Sequence, residues 1–218
     1  MTTALPIAEE ADELAASWKV TLDTMYAPWL ATADEDDPRP ILTCVHIDPA
    51  GYAVASNGYL LAVVPCQIQP GLASDGVFDG VNIPAPLLKS AAAIAKRRKN
   101  PSYEIAIAKD QARSEFVGGG VWADLMPETY PNWRGLLPTE IGVSSSKAVD
   151  PALAVTLNKA VGGSGPLRWV SGPGLSALVM WGYEGSFGLV MPLNVVDDVS
   201  SYQIDLIQRA RGPEVKDS

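Results

Sequence analysis

Residues 59–64, Tyr-Leu-Leu-Ala-Val-Val, follow the pair Asn57-Gly58 without one polar side chain. Asn-Gly between two short apolar runs is a strong hairpin signal, because a two-residue type I′ turn needs φ > 0 at both central positions. The spacing predicts strands over 51–56 and 59–65 joined at that turn. A hairpin strand with one wet face alternates apolar and polar residues. This strand does not, so something must cover its second face.

The remaining chain offers candidates for that cover. Leu14, Trp18, Leu22 and Met25 recur at spacings of four, four and three, which predicts a helix over 7–26 ending before Pro28. A charged turn with two prolines follows, then a strand over 41–47. Residues 66–80 read as a loop, and Val81–Pro84 as a short strand. The segment APLLKSAAAIAKRRK reads as a helix with its bases in the last turn, followed by strands over 103–108, 112–117 and 120–125. Asp150 before Pro151 marks the start of a third helix that stops at Gly162-Gly163, and strands over 167–170, 175–181 and 187–193 follow. The segment 194–218 allows a short helix before its polar end.

One pattern thus repeats three times: a helix, then about three strands. Such units lay their strands as antiparallel sheets and cover one face with helices, an α+β architecture. A 47% hydrophobic content supports a real core. No apolar run approaches the 18 or so residues of a membrane span, and MTTALPIAEEADELAA has neither the basic start nor the apolar centre of a secretory leader. Cys44 and Cys66 lie in apolar segments and read as reduced thiols in a cytosolic protein.

Five segments resemble the bacterial DNA polymerase III beta subunit, the sliding clamp. RPILTCVHI (39–47) is similar to that family's RPxLxGV strand, and AVASNGYLLAV (53–63) to its AATDGHRLAV hairpin. VNIPAPLLKSA (81–91) resembles its helix entry, YPNWRGLLP (130–138) its FPDYRRVIP segment, and LVMPLNV (189–195) its VMPM end. Their order and spacing also agree. The resemblance implies a DNA-clamp fold, with residues 1–138 as a middle-like domain of two units, 139–196 as a partial domain of one unit, and 197–218 as a tail. The family's ring uses two chains of six units each, where this chain offers three.

In that family a partner peptide docks in an apolar cleft. The resemblance places such a groove at Leu42, Ser56, Gly58, Tyr59, Leu60, Leu61, Pro131, Leu136, Leu189, Met191, Pro192 and Leu193. The family's hairpin arginine is Leu60 here, and its arginine after the last methionine is Asn194, so the rim is less basic. The residue types alone fit either a groove lining or plain core.

Net charge is −9, but it is divided unevenly. Residues 1–37 hold nine acids and one base, whereas 81–113 hold seven bases and two acids. By the resemblance Lys89, Lys96, Arg97, Arg98, Lys99 and Lys159 would meet double-stranded DNA through phosphates, without reading sequence. The bland alternative is that the run 96–99 complements a helix C-terminus.

No catalytic set can be assembled. His46 stands alone in an apolar strand, as a core histidine does, and one histidine with two cysteines makes no zinc site. Asp34–Asp37 read as a solvated acidic loop, Gly118–Gly120 as a hairpin turn, and neither glycine stretch has a phosphate-loop pattern. No enzyme activity, cofactor or metal is expected. The expectation is a clamp-like processivity or tethering factor in DNA replication or repair. It would be cytoplasmic and nucleoid-associated, form a homo-oligomer, and bind DNA polymerase or other proteins with clamp-binding motifs. The alternative is a clamp-derived adaptor or decoy that binds such proteins without encircling DNA.

Overall fold

A computed structural model describes residues 17–74, 76–137, 149–163, 169–171 and 178–192 of the chain. In order, its elements are β1 (Trp18–Asp23), β2 (Cys44–Asp48), β3 (Tyr52–Ser56), β4 (Leu60–Pro65), β5 (Gln67–Pro70), β6 (Val81–Pro84) and α1 (Ala85–Arg97). There follow β7 (Ser102–Ala108), β8 (Gln111–Phe116), β9 (Gly119–Asp124), α2 (Pro151–Ala160), β10 (Trp169–Ser171), β11 (Leu178–Trp181) and β12 (Phe187–Val190). The strands form a five-stranded sheet, β5-β1-β7-β8-β9, and a seven-stranded sheet, β10-β11-β12-β4-β3-β2-β6. All pairings are antiparallel.

The strand order contains an exchange. β1 leads the first unit but pairs with β7, at the end of β7-β8-β9; β6 leads the second unit but pairs with β2, at the end of β4-β3-β2. Each unit therefore donates its first strand to the other, and the two halves interlock. The units are led by strands. The helix predicted over 7–26 is corrected within the described residues, where 18–23 is β1. A spacing of four is even, so Trp18 and Leu22 share a strand face as readily as a helix face. Val20 and Leu22 are buried while Asp23 is exposed, the period of a strand. Where the second unit has α1, the first has only a 3₁₀ turn, Pro28–Ala31. A second 3₁₀ turn, Pro40–Thr43, replaces the front of the strand predicted over 41–47. Inside the loop predicted over 66–80, Gln67–Pro70 forms the edge strand β5, held on β1 with Ile68 opposite Val20.

The two α-helices fall where the sequence places its second and third helices. α1 buries Leu87, Leu88, Ala91, Ala92 and Ala95. It ends in a Schellman motif: Asn100 N–H donates to the Ala95 carbonyl and Lys99 N–H to that of Lys96, both at 3.0 Å. Lys99 holds the left-handed position with φ 60°, where glycine is the usual residue. α2 starts with the Asp150 carboxylate accepting from Ala152 N–H at 2.7 Å. It rests on β4 and β12. A Cβ at Gly188 of β12 would fall inside the Leu157 side chain, so glycine permits that close approach.

Both faces of β4 are covered. Leu60, Ala62 and Val64 join the main core with residues of both sheets and both helices. Leu61 and Val63 join a second cluster with Val54, Tyr130, Trp133, Val179 and Leu189. The hairpin before β4 differs in detail from expectation. Its first cross-strand pair is Ser56 with Leu61, so four residues make the connection. Gly58 has φ +91°, but Asn57 does not have positive φ, and the turn is not type I′. Asn57 instead uses its side chain: Oδ1 accepts from Tyr59 N–H at 2.9 Å and Leu60 N–H at 2.8 Å.

The seven-stranded sheet crosses the boundary drawn at 138, since β12 pairs with β4. The tail 197–218 and any helix in 194–218 lie outside the described residues.

Candidate functional site

The β4–β12 junction brings distant segments together. Leu61 lies opposite Leu189, Val63 opposite Phe187, and Leu189 opposite Val179 on β11. Beyond the ladder, Met191 N–H donates to the Tyr59 carbonyl at 2.9 Å. These residues form an apolar floor on the face of the sheet away from the main core. Ile41, Tyr52, Leu137 and Phe187 pack against it, partly buried. Tyr59 (66% exposed), Leu136 (59%), Trp181 (51%) and Met191 (48%) are its accessible apolar side chains.

A strap, residues 126–137, lies along this floor and is tied down at two points. Asn82 of β6 makes the first: its Nδ2 donates to the carbonyls of Met126 at 3.1 Å and Glu128 at 2.6 Å. Its Oδ1 is thereby left for His46, at 2.8 Å from Nδ1. This arrangement assigns His46 as the Nδ1–H tautomer. Burial pushes its pKa below the usual histidine value, which favours the neutral ring. The ring stacks on Tyr130, centroids 4.9 Å apart.

Asp48 makes the second tie. Arg134 donates to it from Nη1 at 2.6 Å and from Nη2 at 2.7 Å, and Trp133 Nε1–H donates at 3.2 Å. The guanidinium lies 4.4 Å from the Trp133 ring centroid. The Arg134 hydrogen bonds hold the Asp48 carboxyl well below the usual range, at about 2.

The described residues among those expected in a groove separate into four groups. Leu61 and Leu189 form the floor and are buried, at 2% and 3% exposure. Tyr59, Pro131, Leu136, Met191 and Pro192 are accessible or partly accessible around it. Ser56 and Gly58 build the turn: Ser56 Oγ donates to the Leu60 carbonyl at 2.7 Å and accepts from Gly58 N–H at 3.1 Å. Leu42 and Leu60 are buried and are not members of this cluster. Leu60 belongs to the main core because alternation sends it to the opposite face, and Leu42 is buried in neither cluster. Leu193 lies outside the described residues. Val54, Val63, Val179, Trp181 and Phe187 share the surface without having been expected there. Strand alternation carries them: Val54 and Val63 in β3 and β4, Val179 and Trp181 in LVMW, and Phe187 in FGLV, the last three legible only once β12 is known to pair with β4 and β11.

Among the expected DNA contacts, Lys89, Lys96, Arg97 and Lys159 are exposed on α1 and α2. Arg98 is otherwise engaged: its Nη2 donates to the Val117 carbonyl and it lies 5.2 Å from the Phe116 ring centroid. Lys99 forms the helix stop described above. Among the described residues, no group of three or more His, Cys, Asp or Glu is placed to hold a metal ion. Cys44 and Cys66 are free, and burial pushes the Cys66 thiol up to about 12, far from thiolate chemistry at neutral pH. No helix of the described residues is long and apolar enough to cross a membrane.

Interlocked units and two antiparallel sheets, one of them continued from β4 into β12, define a DNA-clamp fold. More narrowly, the chain has the fold of the bacterial DNA polymerase III beta sliding clamps. The DNA polymerase sliding clamp of Bacillus subtilis matches with a TM-score of 0.60 at 14% identity, over 89% of this chain and 67% of that one. The sliding clamp of Bartonella birtlesii, bound to griselimycin, matches at 0.61 and 14%, over 89% and 69%. That of Pseudomonas aeruginosa, also bound to griselimycin, matches at 0.59 and 13%, over 88% and 68%. No protein-family model matches the sequence, and a search of curated proteins finds no match. What the chain shares with these clamps is the fold.

Proposed function

We propose that this protein is a sliding-clamp-type tethering factor in DNA replication or repair, with no chemistry of its own. It holds partner peptides on the apolar surface at the β4–β12 junction and meets double-stranded DNA through the basic faces of α1 and α2. Its partners are a DNA polymerase or other proteins with clamp-binding motifs, it works as a homo-oligomer, and its place is the cytoplasm, at the nucleoid. The observation that carries the reading is the pairing of Leu61 with Leu189, with Met191 and Tyr59 accessible beside them. Segments matching three separate clamp motifs meet at this one apolar surface, and such surfaces take peptides through apolar anchors.

The test is a peptide rich in Gln, Leu and Phe, titrated by fluorescence anisotropy. Binding of about micromolar strength is expected, and Met191→Ala should weaken it at least about tenfold, the effect of losing an apolar anchor. Met191 is half exposed, so the variant should fold. Griselimycin, bound in two of the similar clamp structures, is a second ligand to titrate. Equal binding by the variant and the parent would remove this surface from the mechanism.

A second reading is a clamp-derived adaptor that keeps the peptide surface and leaves DNA alone. The engagement of Arg98 with Val117 and Phe116 favours it, since it removes one base from the run available to phosphates. Retention on DNA that falls steeply with salt and vanishes in Lys96→Glu/Arg97→Glu would support tethering. Peptide binding with no DNA retention at low salt would support the adaptor.

A further inference from the structure

β9 ends the five-stranded sheet, and its edge is open among the described residues. In the other half of the fold the equivalent strand is β4, the last of its unit, and its edge is taken by β12. Exchange of the leading strands makes the two positions alike, yet only one is paired. Open edges are usually blunted with lysine, proline or a bulge. β9, Gly-Gly-Val-Trp-Ala-Asp, has no lysine or proline.

Its shape is self-complementary. Val121 and Ala123 lean on the main core. Trp122, on the opposite face, is 68% exposed. Beside it lies a concavity of about 560 Å³, lined by Arg113, Glu115, Phe116, Gly119, Gly120 and Trp122 itself. The hollow exists because Gly120, on the same face as Trp122, supplies no side chain there. A projecting ring and an empty seat two residues apart on one edge strand are what a two-fold contact requires, since each copy then fills the other.

We propose that β9 pairs antiparallel with β9 of a second copy of this chain, about a two-fold axis at Val121, so that each Trp122 ring lies over Gly120 of the other copy. Aromatic cover of an edge glycine is a recurrent stabilising device in sheets. An axis at Trp122 would stack the two rings and leave both hollows empty. Charge fits the Val121 axis as well. Arg113 lies opposite Trp122 on β8, and Glu115 opposite Gly120. Each cross-strand row therefore runs from Arg113 of one copy, through Trp122 and the second Gly120, to Glu115 of the other, with opposite signs at its ends. This names the surface for the self-association included in the functional reading above, and it depends on neither peptide nor DNA binding.

The test is light scattering on the full chain from about 1 to 100 µM, the range in which modest interfaces dissociate. A dimer is expected. Trp122→Lys should weaken it at least about tenfold, as losing a central tryptophan does, with unchanged circular dichroism and peptide affinity. For the register, a Gly120→Cys chain mixed with a Trp122→Cys chain should give a disulfide-linked pair under mild oxidation, which neither yields alone. A monomer throughout, or a dimer equally tight in Trp122→Lys, overturns the proposal. A weakened dimer without the mixed cross-link overturns the Val121 axis. Because peptide binding is read separately, loss of dimerisation alone leaves the peptide surface standing and turns the reading toward the non-oligomeric adaptor.

Discussion

Asp48 and Arg134, 86 positions apart, are joined by two parallel hydrogen bonds of 2.6 and 2.7 Å. The carboxylate is almost wholly buried and the guanidinium half exposed. Removing the arginine leaves a buried charge with fewer donors, so Arg134→Met should cost about 2 kcal/mol. The Asp48 pKa, held at about 2 against an unfolded value near 3.9, sets the pH dependence. A depressed carboxylate contributes stability that is fully present above the unfolded pKa and lost as pH falls through the folded one. Urea titrations should therefore show a loss between about pH 4 and pH 2 that shrinks in Arg134→Met.

β4 should be sensitive on both faces. Leu60→Ala and Leu61→Ala remove neighbouring side chains from different clusters, and each should cost about 2–5 kcal/mol. Tyr59→Ala, at an exposed position, should stay within about 0.5 kcal/mol. Denaturation midpoints measure all three, and a neutral Leu61→Ala would mean that the second face is not packed.

Lys99 offers a substitution in the stabilising direction. Its left-handed backbone suits glycine, so Lys99→Gly should raise stability by about 0.5–1 kcal/mol. Lys96→Gly, inside the helix, should lower it by about 1 kcal/mol. If Lys99 also touches phosphate, the salt slope of DNA binding should fall by about one in the glycine variant.

Gly188 controls how α2 seats on β12. Gly188→Ala drives a methyl group into buried Leu157 and should cost about 1–3 kcal/mol, as overpacking does. Hydrogen exchange should show α2 opening more readily while α1 is unchanged. Equal protection in both helices would show that Leu157 relaxes freely.

The elements legible in the sequence are those with a local signature. Asp150-Pro151 marks the start of α2, the alanine-rich stripe marks α1, and Asn57-Gly58 marks the hairpin. β1 was illegible as a strand because Trp18 and Leu22 are four apart, an interval that a helix and a strand face share. The ties of the strap were hidden for a different reason. Asn82 and Asp48 are ordinary polar residues until folding sets them under Met126, Glu128 and Arg134. Leu60 matches a groove motif yet faces the main core, because a motif match is linear whereas side chains in a strand alternate. The clamp motifs nevertheless led to the junction, because Leu61 and Leu189 sit in two of them.

Leu61 waits for Leu189. During synthesis β4 emerges about 130 residues before the strand that completes its sheet, which at roughly 5–20 residues per second is a delay of about 6 to 26 seconds. Through that interval the nascent chain carries six consecutive apolar residues, Tyr59 to Val64, with an unpaired edge. A ribosome stalled between the two strands therefore releases a fragment whose stickiest segment has lost its intended neighbour, and chaperone demand should peak for chains cut just short of Phe187.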